Sequence, residues 1–202
     1  MSKTPLKIWL LASGDSKKYM YLVGWGGADF VYLSRNFAGK SMPEDWELPK
    51  LEILGKSKKL GDCVGWILET SVVSARARAV FEPLVGNDVQ FLRFHDLRGK
   101  PYFAMNVLRV EKNYLDREQS ECMPSADGEV AGCHRYVFKD DLPNELPPIF
   151  KTHPHSNVFI TRKFAEAIVD NKLTGFCLQD PSKDAIQLMA KGLPLNVYPG
   201  LL

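Results

Sequence analysis

The stretch from Thr70 to Asp116 constrains this chain most. It reads TSVVSARARAVFEPL, then NDVQFLRF, then KPYFAMNVLRVEKNYLD, and it holds the densest apolar material in the sequence. Ser74 is an N-cap candidate, because its hydroxyl can accept from one of the first free amides of a helix. Val73 before it can form half of a hydrophobic staple. Ala77, Val80, Phe81 and Leu84 follow at i, i+3, i+4 and i+7, which is one helical face. Arg76, Arg78 and Glu82 fall elsewhere and should meet solvent. Pro83 cannot continue a helix interior, so the helix is expected to end near Glu82. Gly86-Asn87 supplies a turn. Val89, Phe91 and Arg93 then alternate with Gln90, Leu92 and Phe94; apolar groups on both faces predict a strand buried in a sheet. Arg98-Gly99-Lys100 is a second turn, and Tyr102 to Val110 a second strand, antiparallel to the first because the link is short.

Leu6 to Ala12 and Tyr19 to Trp25 read as two strands around the turn Ser13 to Ser16, which predicts an N-terminal β-hairpin. The glycine-rich Gly24-Trp25-Gly26-Gly27 lacks the Lys-Ser/Thr and helix start of a phosphate loop and reads as a plain turn. Phe30 to Leu33 is expected to be a short strand. Asn36 to Pro49 reads as a surface loop carrying Trp46, which is either a lid on the core or a partner-binding anchor. Leu51, Ile53 and Leu54 make a further strand; Cys63 to Leu68 fits strand or helix. Asp116 to Val130, DREQSECMPSADGEV, sets Asp116, Glu118, Glu121, Asp127 and Glu129 against Arg117 alone. With almost no core-forming residues it is expected to be a long exposed loop. It is either simply solvated or an acidic patch for a basic partner.

Cys133 to Lys139 reads as a strand with Tyr136 and Phe138 on one face, followed by a proline-rich connector ending in Ile149-Phe150-Lys151. Val158-Phe159-Ile160 leads to the cap candidate Thr161, a helix with Phe164, Ala167 and Ile168 on one face, and a stop at Asn171. Leu173 to Leu178 is the last strand, and Asp184 to Lys191 a short helix. The order Val72-Val73-Ser74, helix, strand is echoed by Phe159-Ile160-Thr161, helix, strand, as if two units packed their helices on a shared sheet. The expected class is α+β: mostly antiparallel sheet, a few short helices packed on it, the N-terminal hairpin, and one domain over 1–202.

At 202 residues and 45% apolar, the chain can bury a real core. A net charge of +2 does not argue for nucleic acid or an acidic membrane surface. There is no apolar run long enough for a membrane span. The apolar patch from Ile8 to Ala12 with Leu6 is too short for a signal peptide, so a cytoplasmic protein is expected. Cys122, Cys133 and His134 do not fit a zinc pattern, and His153-Pro154-His155 offers no fixed third ligand. Cys63, Cys122, Cys133 and Cys177 are accordingly expected to be free thiols in a reducing cell. No metal and no cofactor are expected. Neither a nucleophile elbow, nor a His-Glu-x-x-His pair, nor a Walker loop occurs. His95-Asp96 and Cys133-His134 are neighbours in sequence, and neighbours on a strand face opposite ways.

One set of residues carries a family resemblance. It comprises Gly61-Asp62, Val73-Ser74-x-Arg76-Ala77-Arg78, Val89-x-Phe91-Leu92, Gly99-Lys100-Pro101-Tyr102-Phe103 and Asn106-Val107. It continues through Leu115-Asp116 with Ser120, Pro148-Ile149-Phe150-Lys151, Phe159-Ile160-Thr161 and Leu173-Thr174-Gly175-Phe176. In this order and spacing, from about Trp46 to Leu178, the chain resembles the eleventh immunity-protein family of bacterial polymorphic toxin systems. The match departs at His95 and in the N-terminal strands, which suggests a β-rich part over 1–60 and an immunity-type core over 61–180. The resemblance implies a non-enzymatic antitoxin that binds a cognate toxin, encoded next door, of a type VI or contact-dependent secretion system. Occlusion of the toxin's active site is the implied mechanism. Asp116, Glu118, Glu121, Asp127, Glu129 and Trp46 are the candidate partner-binding residues. Two other readings stay open: an enzyme with dispersed catalytic residues among His95, His134, His153 and His155, and a small-ligand module built on Trp25 and Trp46.

Overall fold

A computed structural model describes residues 8–13, 18–24, 37–47, 51–54, 58–66, 71–124, 130–152 and 157–183. In chain order the elements begin with β1 (Ile8–Ser13), β2 (Tyr21–Gly24), β3 (Leu51–Leu54), β4 (Cys63–Gly65) and β5 (Ser71–Ser74). Next come α1 (Ala75–Val85), β6 (Val89–Arg93), β7 (Tyr102–Val107), β8 (Val110–Glu111), β9 (Glu121–Pro124) and β10 (Val130–Arg135). The last are β11 (Ile149–Thr152), β12 (Val158–Thr161), α2 (Arg162–Asp170) and β13 (Phe176–Gln179). One sheet has the order β3-β2-β4-β5-β7-β6, a second β13-β1-β12-β11-β8, and β10-β9 form a separate pair. Most pairings are antiparallel, and two helices pack on the sheets, so the α+β expectation holds.

Two units of the same topology make the core. β5 runs without a loop into α1 and returns as β6, while β7 lies between β5 and β6 and is antiparallel to both. β12 runs into α2 and returns as β13, and β1 lies between them, again antiparallel to both. Each is therefore a split β-α-β unit. The echo seen in the sequence is real, but the units do not share a sheet: each belongs to its own, and their helices face each other. Phe81 and Phe164, both fully buried, stack with ring centroids 4.3 Å apart. Around them, Trp9 and Leu11 of β1, Val73 of β5 and Ile160 of β12 close one core between the sheets.

The outer face of each sheet is covered by chain with little regular structure. Over the first sheet, residues 37–47 form a strap that buries Phe37, Met42 and Trp46 against Trp66 and Leu92. Side chains pin the strap's backbone. The Gln90 amide both accepts from the Met42 N–H (2.9 Å) and donates to the Met42 carbonyl (2.7 Å), and Asn106 donates to the Lys40 carbonyl (2.7 Å). Buried Lys151 donates to the Phe37 carbonyl. Over the second sheet, Leu115 and Tyr136 pack on Phe150 and Phe159, with Phe138 beside them, as the shared face of Tyr136 and Phe138 predicts.

Several expectations fail for physical reasons. The two N-terminal strands form but make no hairpin: β1 pairs with β12 and β13, whereas β2 pairs with β3 and β4. Each finds more apolar surface to cover in a different sheet than a two-stranded ribbon offers. The first helix continues through Pro83 to Val85, because Pro83 is exposed and the Gly86 N–H still reaches the Glu82 carbonyl. β6 is an edge strand, not an interior one; Arg93 at its end is exposed. The strand from Tyr102 stops at Val107. The Leu108 amide turns to the Asp88 carbonyl (2.8 Å), and Val110–Glu111 crosses to the second sheet beside β11. The segment from Asp116 is an arm instead of an open loop: β9 and β10 pair antiparallel, and Cys122 and Cys133 are joined by a disulfide. The free-thiol expectation therefore fails for this pair and holds for Cys63 and Cys177, which are buried thiols outside any disulfide. Residues 25–36, including the glycine-rich turn, Trp25 and the strand expected at Phe30 to Leu33, lie outside the described residues, as does the expected helix Asp184 to Lys191.

Candidate functional site

Several of the residues that carry the family resemblance, among them Ser74, Arg76 and Thr174, converge on the Asp62 carboxylate. Ser74 is the last residue of β5 and caps α1: its hydroxyl accepts from the Ala77 N–H (3.1 Å) and donates to Asp62 Oδ1 (2.9 Å). Arg76 in the first turn reaches back to Asp62 through Nε (3.0 Å) and Nη2 (2.5 Å). From the other unit, Thr174 just before β13 donates its N–H (2.9 Å) and its hydroxyl (3.0 Å) to Asp62 Oδ2. Arg76 Nη1 also donates to the Asn171 carbonyl at the end of α2 (3.0 Å). The cluster thus ties the start of one helix to the end of the other.

Close backbone approach explains the glycines. A Cβ on Gly175 would lie 2.2 Å from the Cys63 carbonyl oxygen, and its φ of +85° disfavours other residues besides. The Tyr102 hydroxyl donates to the Gly61 carbonyl (2.6 Å), and burial pushes that phenol's pKa up. Burial of Asp62 would by itself raise its pKa. The hydrogen bonds from Arg76, Thr174 and Ser74 outweigh it and hold the carboxyl below its ordinary 3.8. The donors bonded to this carboxylate tie the two units together, and a low pKa suits an ion pair, not a proton acceptor working near neutrality. A cleft of about 290 Å³ opens beside it, walled by Leu60, Lys100 and Tyr102.

The acidic candidates sit on the arm and at its base. Asp116 closes a turn: its carboxylate accepts from the Gln119 backbone N–H (3.0 Å), the Gln119 side-chain amide (2.8 Å) and the Glu118 N–H (3.0 Å), which hold its pKa low. Ser120 accepts from the Val137 N–H (2.9 Å) and fixes the base of the arm. Glu121 pairs with Arg135 across the arm (2.7 Å), with His134 Nδ1 at 3.7 Å. A cleft of about 590 Å³ at the base brings Asp116 and Glu118 together with Lys112, Arg117 and Lys139. The described part of the patch is therefore of mixed sign. Asp127 and Glu129 lie outside the described residues. Met123, 48% exposed, is the one large apolar side chain left open among the described residues.

Of the two places expected for it, Trp46 takes that of a lid on the core. It is 7% exposed, packs edge-on to Phe37 at 5.8 Å, and its Nε1 donates to the Arg93 carbonyl (3.3 Å). An amphipathic ring beside an apolar sheet face is better buried than displayed. His95 is exposed, and its neighbour Asp96 pairs with Arg93. His153 and His155 lie outside the described residues. Among the described residues no group of His, Cys, Asp or Glu is placed to hold a metal. Burial pushes the Cys63 thiol up to about 12, which makes it unreactive. The sequence reading missed the Asp62 cluster as a unit, although the spacing Asp62, Ser74, Arg76 was visible; Thr174 joins it only through the fold.

No curated protein matches the chain. A family model, described as the immunity protein family Imm11, matches residues 32–183. That span holds both helices, the Asp62 cluster, the strap and the arm, and starts after β1 and β2. The match covers well over half of the chain, and this chain belongs to the immunity protein family Imm11.

Proposed function

We propose that this chain is an antitoxin that binds a cognate bacterial toxin and neutralises it by covering its active site. Membership of the immunity family over residues 32–183 is the observation that carries this reading. A toxin of a type VI or contact-dependent secretion system, encoded beside this chain, fits such a role, and the neutralising complex would form in the cytoplasm. No described helix is long and apolar enough to cross a membrane.

The arm is the contact surface we favour. The segment between β8 and β11, residues 112–148, holds eight acids and four bases, whereas the rest of the chain holds sixteen acids and twenty-two bases. A partner with a basic working surface would meet the acidic segment and be repelled elsewhere, which sets orientation and on-rate more than affinity. Glu118, Glu121, Asp127 and Glu129 are the charges to reverse. Co-expression with the C-terminal domain of the neighbouring large protein should rescue growth and yield a co-purifying pair. Reversal of the four charges should slow association about tenfold or more at low salt and less at high salt. Loss of rescue by the unaltered chain would refute the antitoxin reading; unchanged association of the reversed variant would remove only the arm.

A further inference from the structure

We infer that the Cys122–Cys133 bond is a redox-operated clasp that decides whether the arm is a rigid or a loosened surface. Four observations converge on it. The β9–β10 pair is joined to neither larger sheet, and an isolated two-stranded ribbon is marginal in water. Its ladder is irregular on both sides of the cysteines, with register shifts between Val130 and Gly132 and between Cys133 and Arg135. Other side-chain ties across the arm centre on Glu121 and Arg135: their ion pair, 46% and 32% exposed and so of small worth, His134 Nδ1 at 3.7 Å from Glu121, and the Arg135 guanidinium on the Gln119 carbonyl (2.8 Å). Both cysteines are only half-buried, unlike the enclosed Cys63 and Cys177, so a reductant can reach them.

The arm is anchored below the clasp. Tyr136 is buried against Phe159 and takes the Pro181 carbonyl with its N–H (2.8 Å), while the Asp116 N–H donates to the Val137 carbonyl (2.9 Å). Opening the disulfide therefore releases β9 and β10 while their root stays docked on the second sheet. The chemistry is ordinary thiol–disulfide exchange. A thiolate of a cellular dithiol attacks one sulfur, the Cys122–Cys133 bond breaks as a mixed disulfide forms, and the reductant's second thiol displaces the cysteine. Two electrons and two protons pass to the pair, giving two thiols, and the reductant leaves as its own disulfide. In the reducing cytoplasm, where the proposed complex would form, the arm is loosened; only oxidation of the pair would present a partner with a preordered surface at lower entropic cost.

The clasp is tested on the full chain by amide hydrogen exchange, with oxidation state fixed by glutathione disulfide or dithiothreitol and checked by thiol alkylation mass. Reduction should speed exchange at Glu121 to Met123 and Gly132 to Arg135 by about a hundredfold, and leave β7 and β12 unmoved. The double variant Cys122→Ser, Cys133→Ser should match the reduced chain in either buffer. Equal arm exchange in the two redox states, or a loosening spread evenly over the whole fold, overturns the clasp. The link to toxin contact rests on the function proposed above and is read separately. If the arm responds to reduction while toxin association does not, the clasp stands and the arm is not the contact.

Discussion

The β5–α1–β6 unit takes its middle strand, β7, from the next stretch of chain; the β12–α2–β13 unit waits for β1 from the opposite end of the described chain. Their helix starts differ in the same sense. Ser74 caps α1 with a hydrogen bond to the Ala77 amide, whereas Thr161 makes no capping bond and turns its hydroxyl toward the proline carbonyls of the connector. The first unit is thus specified by neighbours in sequence, the second by closure of a long loop. Local contacts form early and at small entropic cost, and distant ones need the rest of the fold in place. The covers differ too. The strap over the first sheet is sealed by aromatic rings, while the cover of the second extends beyond its sheet as an arm.

This contrast can be broken experimentally. Truncation of residues 1–13 should have the largest effect: β12 and β13 lose their shared neighbour, so their amides should lose protection while β6 and β7 keep much of theirs. Equal loss in both units would show that they fold as one. Next, Phe81→Ala and Phe164→Ala should each cost about 3–5 kcal/mol in urea unfolding, because each empties the space between the helices. The double variant should cost less than the sum by about 0.5–1.5 kcal/mol, since the rings meet each other; strict additivity would deny that the helices couple the units.

Asp62→Asn should cost about 2 kcal/mol at pH 7, the scale of a charge-assisted network partly open to water. The folded-state pKa is lowered, so the carboxylate's contribution is present above the ordinary 3.8 and fades as pH falls through the lower folded value. The stability gap between wild type and Asp62→Asn should close only in that acid range; a gap that closes near neutrality would exclude the ion pair as its cause. The smallest effect is expected at the caps. Ser74→Ala should lose about 1–2 kcal/mol and Thr161→Ala less than about 0.5 kcal/mol, and the reverse order would overturn the contrast.

Much of the first unit was legible. The helical face of Ala77 and Phe81, the cap at Ser74, and the turn at Arg98-Gly99 are local patterns. In that turn Leu97 and Lys100 exchange both backbone hydrogen bonds, with φ of 52° and 72° at the two central residues. The N-terminal hairpin was misread because two strands close in sequence usually pair, and nothing local reveals that each covers a different core. Asp116 to Pro124 was misread because its strands carry few apolar residues; the cross-link and Tyr136 beyond them supply the order that burial does not. Lys151 was invisible as a core residue, since the Phe37 carbonyl that helps to make its burial tolerable lies far away in sequence.

By itself, the sequence determined the helix beginnings, the turns and the apolar faces, because those depend on residues within a few positions of one another. Only the tertiary structure decided which strand stands between which, that Asp62 gathers donors from both units, and that Cys122 meets Cys133. Those are pairings across long separations, selected by how two sheets and two helices exclude water together, and no short window of residues contains that competition.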